Sequence, residues 1–176
     1  MKRELVWART ILSVYRYLER ISGAIDKIIM QSALNSSNIL GQNYFYNNVY
    51  SITQKLIDLS ERKVTIINLK LLTEEVLKEM SIRDAQLLIE KYFDRQKFKE
   101  IAERTDVSIR TIFRKLEVAE TNFNKRLIAK GYNDFKLKQF LKNENWIMQV
   151  YDRFINKNID EEFDLSNAYL AKAASM

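Results

Sequence analysis

Arg110 and Arg114 stand four residues apart in "KFKEIAERTDVSIRTIFRKLEV", the stretch from Lys97 to Val118. On a helix that spacing puts both guanidinium groups on one face. A guanidinium is a planar fork of N–H donors that hydrogen-bonds a guanine edge in bidentate fashion, so a helix showing two of them suits the major groove of double-stranded DNA. Glu117 and Thr121 project on the same side, with Thr111 and Phe113 on the shoulders, where apolar groups can touch thymine methyls. Lys97, Lys99, Ser108, Thr111, Lys115, Lys125 and Arg126 are the candidates for the DNA backbone. Contacts of that kind give affinity and salt dependence without sequence choice.

Such a face needs a prop. Phe98, Ile101, Ala102 and Thr105 form one face of a short helix, and Ile112, Leu116, Ala119, Phe123 and Leu127 form one face of the next. The joint "TDVS" holds neither Gly nor Pro. Asp106 tolerates the left-handed backbone a tight turn requires, small Ala102 permits a close crossing, and Ser108 is placed to cap the second helix. Packing on Ile101, Val107 and Ile112 then sets the angle. An ordinary solvated helix face explains the arginines alone, but not the small residue, the turn and the cap in one register.

Zero Cys and zero His exclude structural zinc, thiol chemistry, imidazole bases and Ser-His-Asp triads. Gly23, Gly41 and Gly131 are scattered, so no glycine loop cradles a phosphate. The acidic run Asp160, Glu161, Glu162 and Asp164 near the chain end reads as solvated. We expect no enzymatic activity, cofactor or bound metal. No Pro and only 3 Gly in 176 residues, with helix formers dominant, predict an all-α fold. The net charge is +6, and between Lys97 and Lys130 nine basic residues face five acidic ones, a local surplus of four that favours a polyanionic partner. Charged residues interrupt the apolar pattern of the amino-terminal segment and no long apolar run exists, so neither a signal peptide nor a membrane span is expected. The missing cysteines suit a reducing cytoplasm.

Along the chain, Trp7, Ile11, Val14, Leu18, Ile21, Ile25 and Ile28 lay one seam on a long helix, which the polar loop "NSSN" (Asn35 to Asn38) and Gly41 are expected to end. Phe45, Val49, Ile52, Leu56 and Leu59 lay a second, and two adjacent seams predict an antiparallel helical hairpin over 1–72, with part of the seam a candidate homodimer or partner surface. "VTIINLKLL", Val64 to Leu72, reads as helix. Thr73 and Ser81 read as helix starts, the second with Asp84 in its first turn, and Ile82, Ala85, Ile89 and Tyr92 as a core stripe flanked by Leu88 and Phe93. Residues 73–131 then form a helix-turn-helix unit closed at Gly131. Asn133 caps one further helix through "DFKLKQFLKNENWIMQVYDRFI" in a carboxy-terminal extension, 132–176.

Met80 to Leu127 resembles region four of bacterial RNA polymerase sigma factors and the sigma-like helix-turn-helix regulators built on the same module. The resemblance is carried by Met80-Ser81, Leu88, Ile89, Tyr92-Phe93, Phe98, "EIAER" from Glu100 to Arg104, Val107, Ser108, Thr111, Ile112 and Leu116, under a third of the chain. It implies that the exposed front of the second helix reads promoter DNA at Ile109, Arg110, Phe113 and Arg114, and that a flank meets RNA polymerase or an activator. The sequence departs from the family pattern in three respects: Asp106 replaces a frequent turn glycine, Arg95 stands where glycine is common, and Ile109 and Phe113 are apolar where polar residues are usual. The last departure favours thymine-rich sites. The pattern of the sigma region that grips the polymerase clamp is missing from residues 1 to 79, where the aromatics Tyr44, Phe45, Tyr46 and Tyr50 suit a core or, alternatively, unpaired bases.

The expected function is a sequence-specific DNA-binding transcriptional regulator. The alternatives are a divergent or minimal sigma factor working with RNA polymerase, and a sigma-like adaptor that holds RNA or another protein.

Overall fold

The computed structural model describes the backbone of residues 5–38 and 45–156, and the side chains within those ranges except 35–38 and 45–49. Among the described residues there are seven helices and no strand, an all-α fold. The acidic run at 160–164, Gly41, Tyr44 and the side chains of Phe45, Tyr46 and Val49 lie outside the described residues.

Helix α1 spans Val6–Asn38 and α2 spans Phe45–Lys78. The first seam lies where its spacing puts it: Trp7, Ile11, Val14, Leu18, Ile21 and Ile25 are all buried, and Ile28 packs half-buried against them. The two helices pair antiparallel. Tyr15 donates its hydroxyl to Glu74 at 2.7 Å, Lys70 reaches Glu19 at 3.1 Å and Lys63 reaches Asp26 at 2.5 Å, the partners descending α2 as they ascend α1. "NSSN" is no loop: α1 runs through Asn38. Short polar side chains lower helix propensity but do not by themselves end a helix.

Thr73 does not start a helix either. It lies inside α2, fully buried, and its hydroxyl donates back to the Leu69 carbonyl at 2.7 Å. With no Gly or Pro between Val64 and Lys78, nothing interrupts the backbone. Ile66, Leu69, Thr73, Val76 and Met80 continue one buried stripe at alternating spacings of three and four. The division expected between residues 72 and 73 therefore falls within a continuous helix, and one hydrophobic cluster extends from α1 to the last helix.

Helix α3, Ile82–Leu88, starts as its sequence indicates, with Ser81 Oγ accepting from the Asp84 amide at 3.2 Å. Its core stripe is different from the one expected. Ile82 is 85% exposed and Ile89 37%, while Leu87 and Leu88 are buried. Two adjacent leucines pull the inward face away from the line through Ile82 and Ile89. The helix then widens into a π turn over Ile89–Phe93, closed by Asp94 N–H on the Ile89 carbonyl, which shifts the phase of everything after it. Arg95 follows at φ 55, the left-handed conformation its glycine-like position suggested.

Helices α4 (Phe98–Thr105) and α5 (Ile109–Ala129) form the helix-turn-helix. Beyond them the single expected helix is two, α6 (Asp134–Phe140) and α7 (Asn145–Asn156). On one straight helix Leu141 and Val150 would lie about 180° apart. Both are buried, so the chain must turn between them. Glu144 anchors that turn: fully buried, it accepts from Arg62 Nε of α2 at 3.0 Å and from Trp146 Nε1 at 2.9 Å.

A candidate nucleic-acid interface on helix five

The turn between α4 and α5 is built from local signals. Asp106 has φ 51 and ψ 43, the left-handed region that Asp enters at lower cost than most residues. Around it Val107 N–H reaches the Ala102 carbonyl at 3.2 Å and Asp106 N–H the Glu103 carbonyl at 3.4 Å. That pair of bonds is the Schellman closure usually made around glycine. The same two bonds close α5 around Gly131, φ 84, from Tyr132 to Leu127 and from Gly131 to Ile128. Ser108 Oγ accepts the Thr111 amide at 3.2 Å and shares a hydrogen bond with the Thr111 hydroxyl at 2.9 Å, so both hydroxyls are engaged in starting α5.

The inward face of α5 is buried from end to end: Ile112, Leu116, Ala119, Phe123 and Leu127 are each no more than 6% exposed. Glu120 lies in the same stripe, 2% exposed, and the sequence reading missed it. Its carboxylate takes Arg9 of α1 at 2.7 Å and the Tyr92 hydroxyl at 2.5 Å, so one side chain joins α5 to both the hairpin and the π turn. Burial first, and the Glu120 carboxylate second, push the Tyr92 hydroxyl well above its ordinary value, which keeps it a donor. The signal was present in the register, since Glu120 stands four residues after Leu116 on the apolar stripe; Arg9 and Tyr92, far off in sequence, could not be matched to it. Asn122 donates to Asp84 of α3 at 3.0 Å, and Lys130 bonds Glu75 of α2 and Glu79 just beyond its end at 2.7 and 2.6 Å.

The outward face keeps the arginines in solvent. Arg110 and Arg114 are exposed and pair with no carboxylate among the described residues. The first turn of α5 contains no acidic residue, so the positive end of the helix dipole adds to them. Ile109 is 43% exposed and Phe113 51%, side by side at i and i+4, next to the arginine row. Phe113 packs against Phe98, the first residue of α4, with ring centroids 4.1 Å apart and the planes tilted by 36°, and the ammonium of Lys91, from the π turn, sits 3.9 Å from the Phe98 ring. Lys91 is a basic residue that the sequence reading did not include; its signal was the cluster Lys91, Arg95 and Lys97 within "KYFDRQK".

The remaining candidates divide. Lys97 is exposed at the start of α4, where its backbone N–H donates to Glu100 at 2.9 Å; Lys99 is exposed beside Glu103 at 3.8 Å; Lys115 and Glu117 are exposed on α5. Thr105, expected in the α4 core face, is exposed, while Ile101 and Ala102 are buried. Lys125 and Arg126 are not gathered with the arginine pair. They lie about 20 Å further along the axis of α5, and Arg126 turns to Glu79, just beyond the end of α2, at 3.9 Å.

No helix among the described residues is long and apolar enough to cross a membrane. No family model, curated protein or solved structure matches the chain.

Proposed function

We propose that this protein is a sequence-specific DNA-binding transcriptional regulator of the cytoplasm, and that the first two turns of α5 enter the major groove. One observation carries the reading. Among the described residues, Arg110 and Arg114 stand exposed and without carboxylate partners on a helix whose opposite face is buried along its whole length. Guanidinium groups positioned this way read guanine edges, and Lys97, Lys99 and Lys115 around them suit phosphates. The resemblance of Met80 to Leu127 to sigma region four adds to the proposal, as does the left-handed backbone at Asp106 and Arg95.

Dimerisation through the hairpin belongs to the same proposal. Tyr50, Ile57, Val64 and Leu71 recur at every seventh residue of α2 and are 75, 47, 56 and 55% exposed, the repeat that a second helix fills in a coiled coil. A dimer would present two recognition helices to half-sites about one DNA turn apart. Sedimentation of the purified chain tests this, with a monomer at all accessible concentrations as the opposing result.

Selection of bound sequences from random DNA, with wild type beside Arg110→Ala/Arg114→Ala, tests the main reading. A shared half-site recovered by the wild type and lost in the double variant, with an unchanged melting temperature, is the expected result. Binding without a preferred site, abolished uniformly by salt, would refute it.

A further inference from the structure

We infer that Phe113, with Ile109 beside it, is a seat for the 5-methyl group of a pyrimidine in the major groove; the inference rests on the DNA reading above and names what that face reads besides guanine. Two rows run along the front of α5, Arg110 with Arg114 and Ile109 with Phe113, offset by one residue. The second row has no hydrogen-bonding side-chain atom, so it cannot read any of the donors or acceptors on a base edge. The one apolar feature that a base pair offers in the major groove is the thymine methyl.

The ring is also held ready. Phe113 keeps half its surface exposed while its other side rests on Phe98 at 4.1 Å, and Phe98 is itself covered by the Lys91 ammonium at 3.9 Å. Little side-chain freedom is then lost when the ring meets a methyl group. Helix α4 supplies Phe98 from its first residue, so the support comes from the first helix of the motif rather than from α5 alone. Because the two rows are adjacent, the methylated pyrimidine should neighbour the guanine taken by Arg110 or Arg114.

The test uses the full chain and the duplex recovered by selection, with each thymine replaced in turn by deoxyuridine. That exchange removes a methyl group and leaves every donor and acceptor in place. At one thymine the wild type should lose affinity about fourfold, the factor that corresponds to burying one methyl group. At the same position 5-methylcytosine should bind more tightly than cytosine by a similar factor. Phe113→Ala should bind the thymine and deoxyuridine duplexes equally, and Phe98→Leu, which keeps an apolar contact but removes the ring behind Phe113, should bring the ratio below about twofold. Site-specific binding that is indifferent to every deoxyuridine exchange would overturn the methyl seat and leave the arginine reading standing; the apolar row would then belong to a protein contact. A selected site with no thymine would do the same. Absence of any preferred site would overturn both.

Discussion

Replacing Glu120 with Leu should destabilise the protein far more than its place in an apolar stripe suggests. The carboxylate is 2% exposed and Arg9 20%, at 2.7 Å, with the Tyr92 hydroxyl on the other oxygen at 2.5 Å. Removing one member of a buried pair typically costs about 3–5 kcal/mol, because the other charge is left without a partner in a medium that solvates it poorly. Arg9 keeps some access to water, which sets its share near the lower limit, about 3 kcal/mol. The orphaned Tyr92 hydroxyl adds about 1 kcal/mol, and burial of the leucine returns a similar amount. A net loss of about 3 kcal/mol corresponds to a fall in Tm of roughly 6–12 °C for a chain of this size. Arg9→Met in the Glu120→Leu background removes the stranded charge and should bring stability back to within about 1 kcal/mol of the wild type. Urea unfolding of the four proteins in this double-mutant cycle measures the coupling. If Glu120→Leu lies within about 1 kcal/mol of the wild type, or the two substitutions simply add, Glu120 does not tie α5 to α1 as argued.

Ser108→Ala should cost about 1 kcal/mol through loss of the α5 cap, and Ser108→Gly only a few tenths, both measured by urea unfolding. Asp106→Val should lose about 2 kcal/mol because a β-branched residue resists φ 51, whereas Asp106→Gly should stay within about 1 kcal/mol of the wild type, relief of strain offsetting a more disordered unfolded chain. At Asp134 partial burial works to raise the pKa, but hydrogen bonds from Lys138, Trp7 and Tyr151 outweigh it and hold the carboxyl below its ordinary 3.8. A lowered folded value gives stability that is complete above 3.8 and is lost as pH falls through the lowered value. The Tm difference between wild type and Asp134→Asn should therefore be constant near neutrality and shrink below 3.8. The corresponding difference in stability should stay under about 1 kcal/mol, because the side chain is 59% exposed and screened by solvent.

Local chemistry was legible in the sequence. The caps at Ser81, Ser108 and Asn133, the left-handed Asp106, the stop at Gly131 and the buried line from Ile112 to Leu127 all stand where their residue types put them. Each depends on a few neighbours along the chain. Misplaced boundaries had a different origin. Thr73 is a weak local breaker overruled by a partner helix, α1 runs on through "NSSN", and the turn at 141–144 exists because a buried Glu144 meets Arg62, 82 residues away. Within the candidate site the exposed arginines were visible as a spacing, whereas the Glu120 network and the Phe98–Phe113 ring contact depend on a crossing angle and a π turn that spacing does not encode.

The clamping of α5 along its inner face has a mechanical consequence. The helix is about 31 Å long, so rocking it by one degree about its far end displaces the near end by about 0.5 Å. That is roughly the whole spread of lengths over which an N–H···O bond is effective. Lys130 on Glu75 and Glu79 fixes the far end against α2, and Arg9 on Glu120 fixes the middle against α1. The placement of Arg110 is therefore governed by ion pairs 10 and 20 residues downstream of it, and on the proposed DNA-binding reading a substitution there would blur base selection without touching any residue proposed to meet the base.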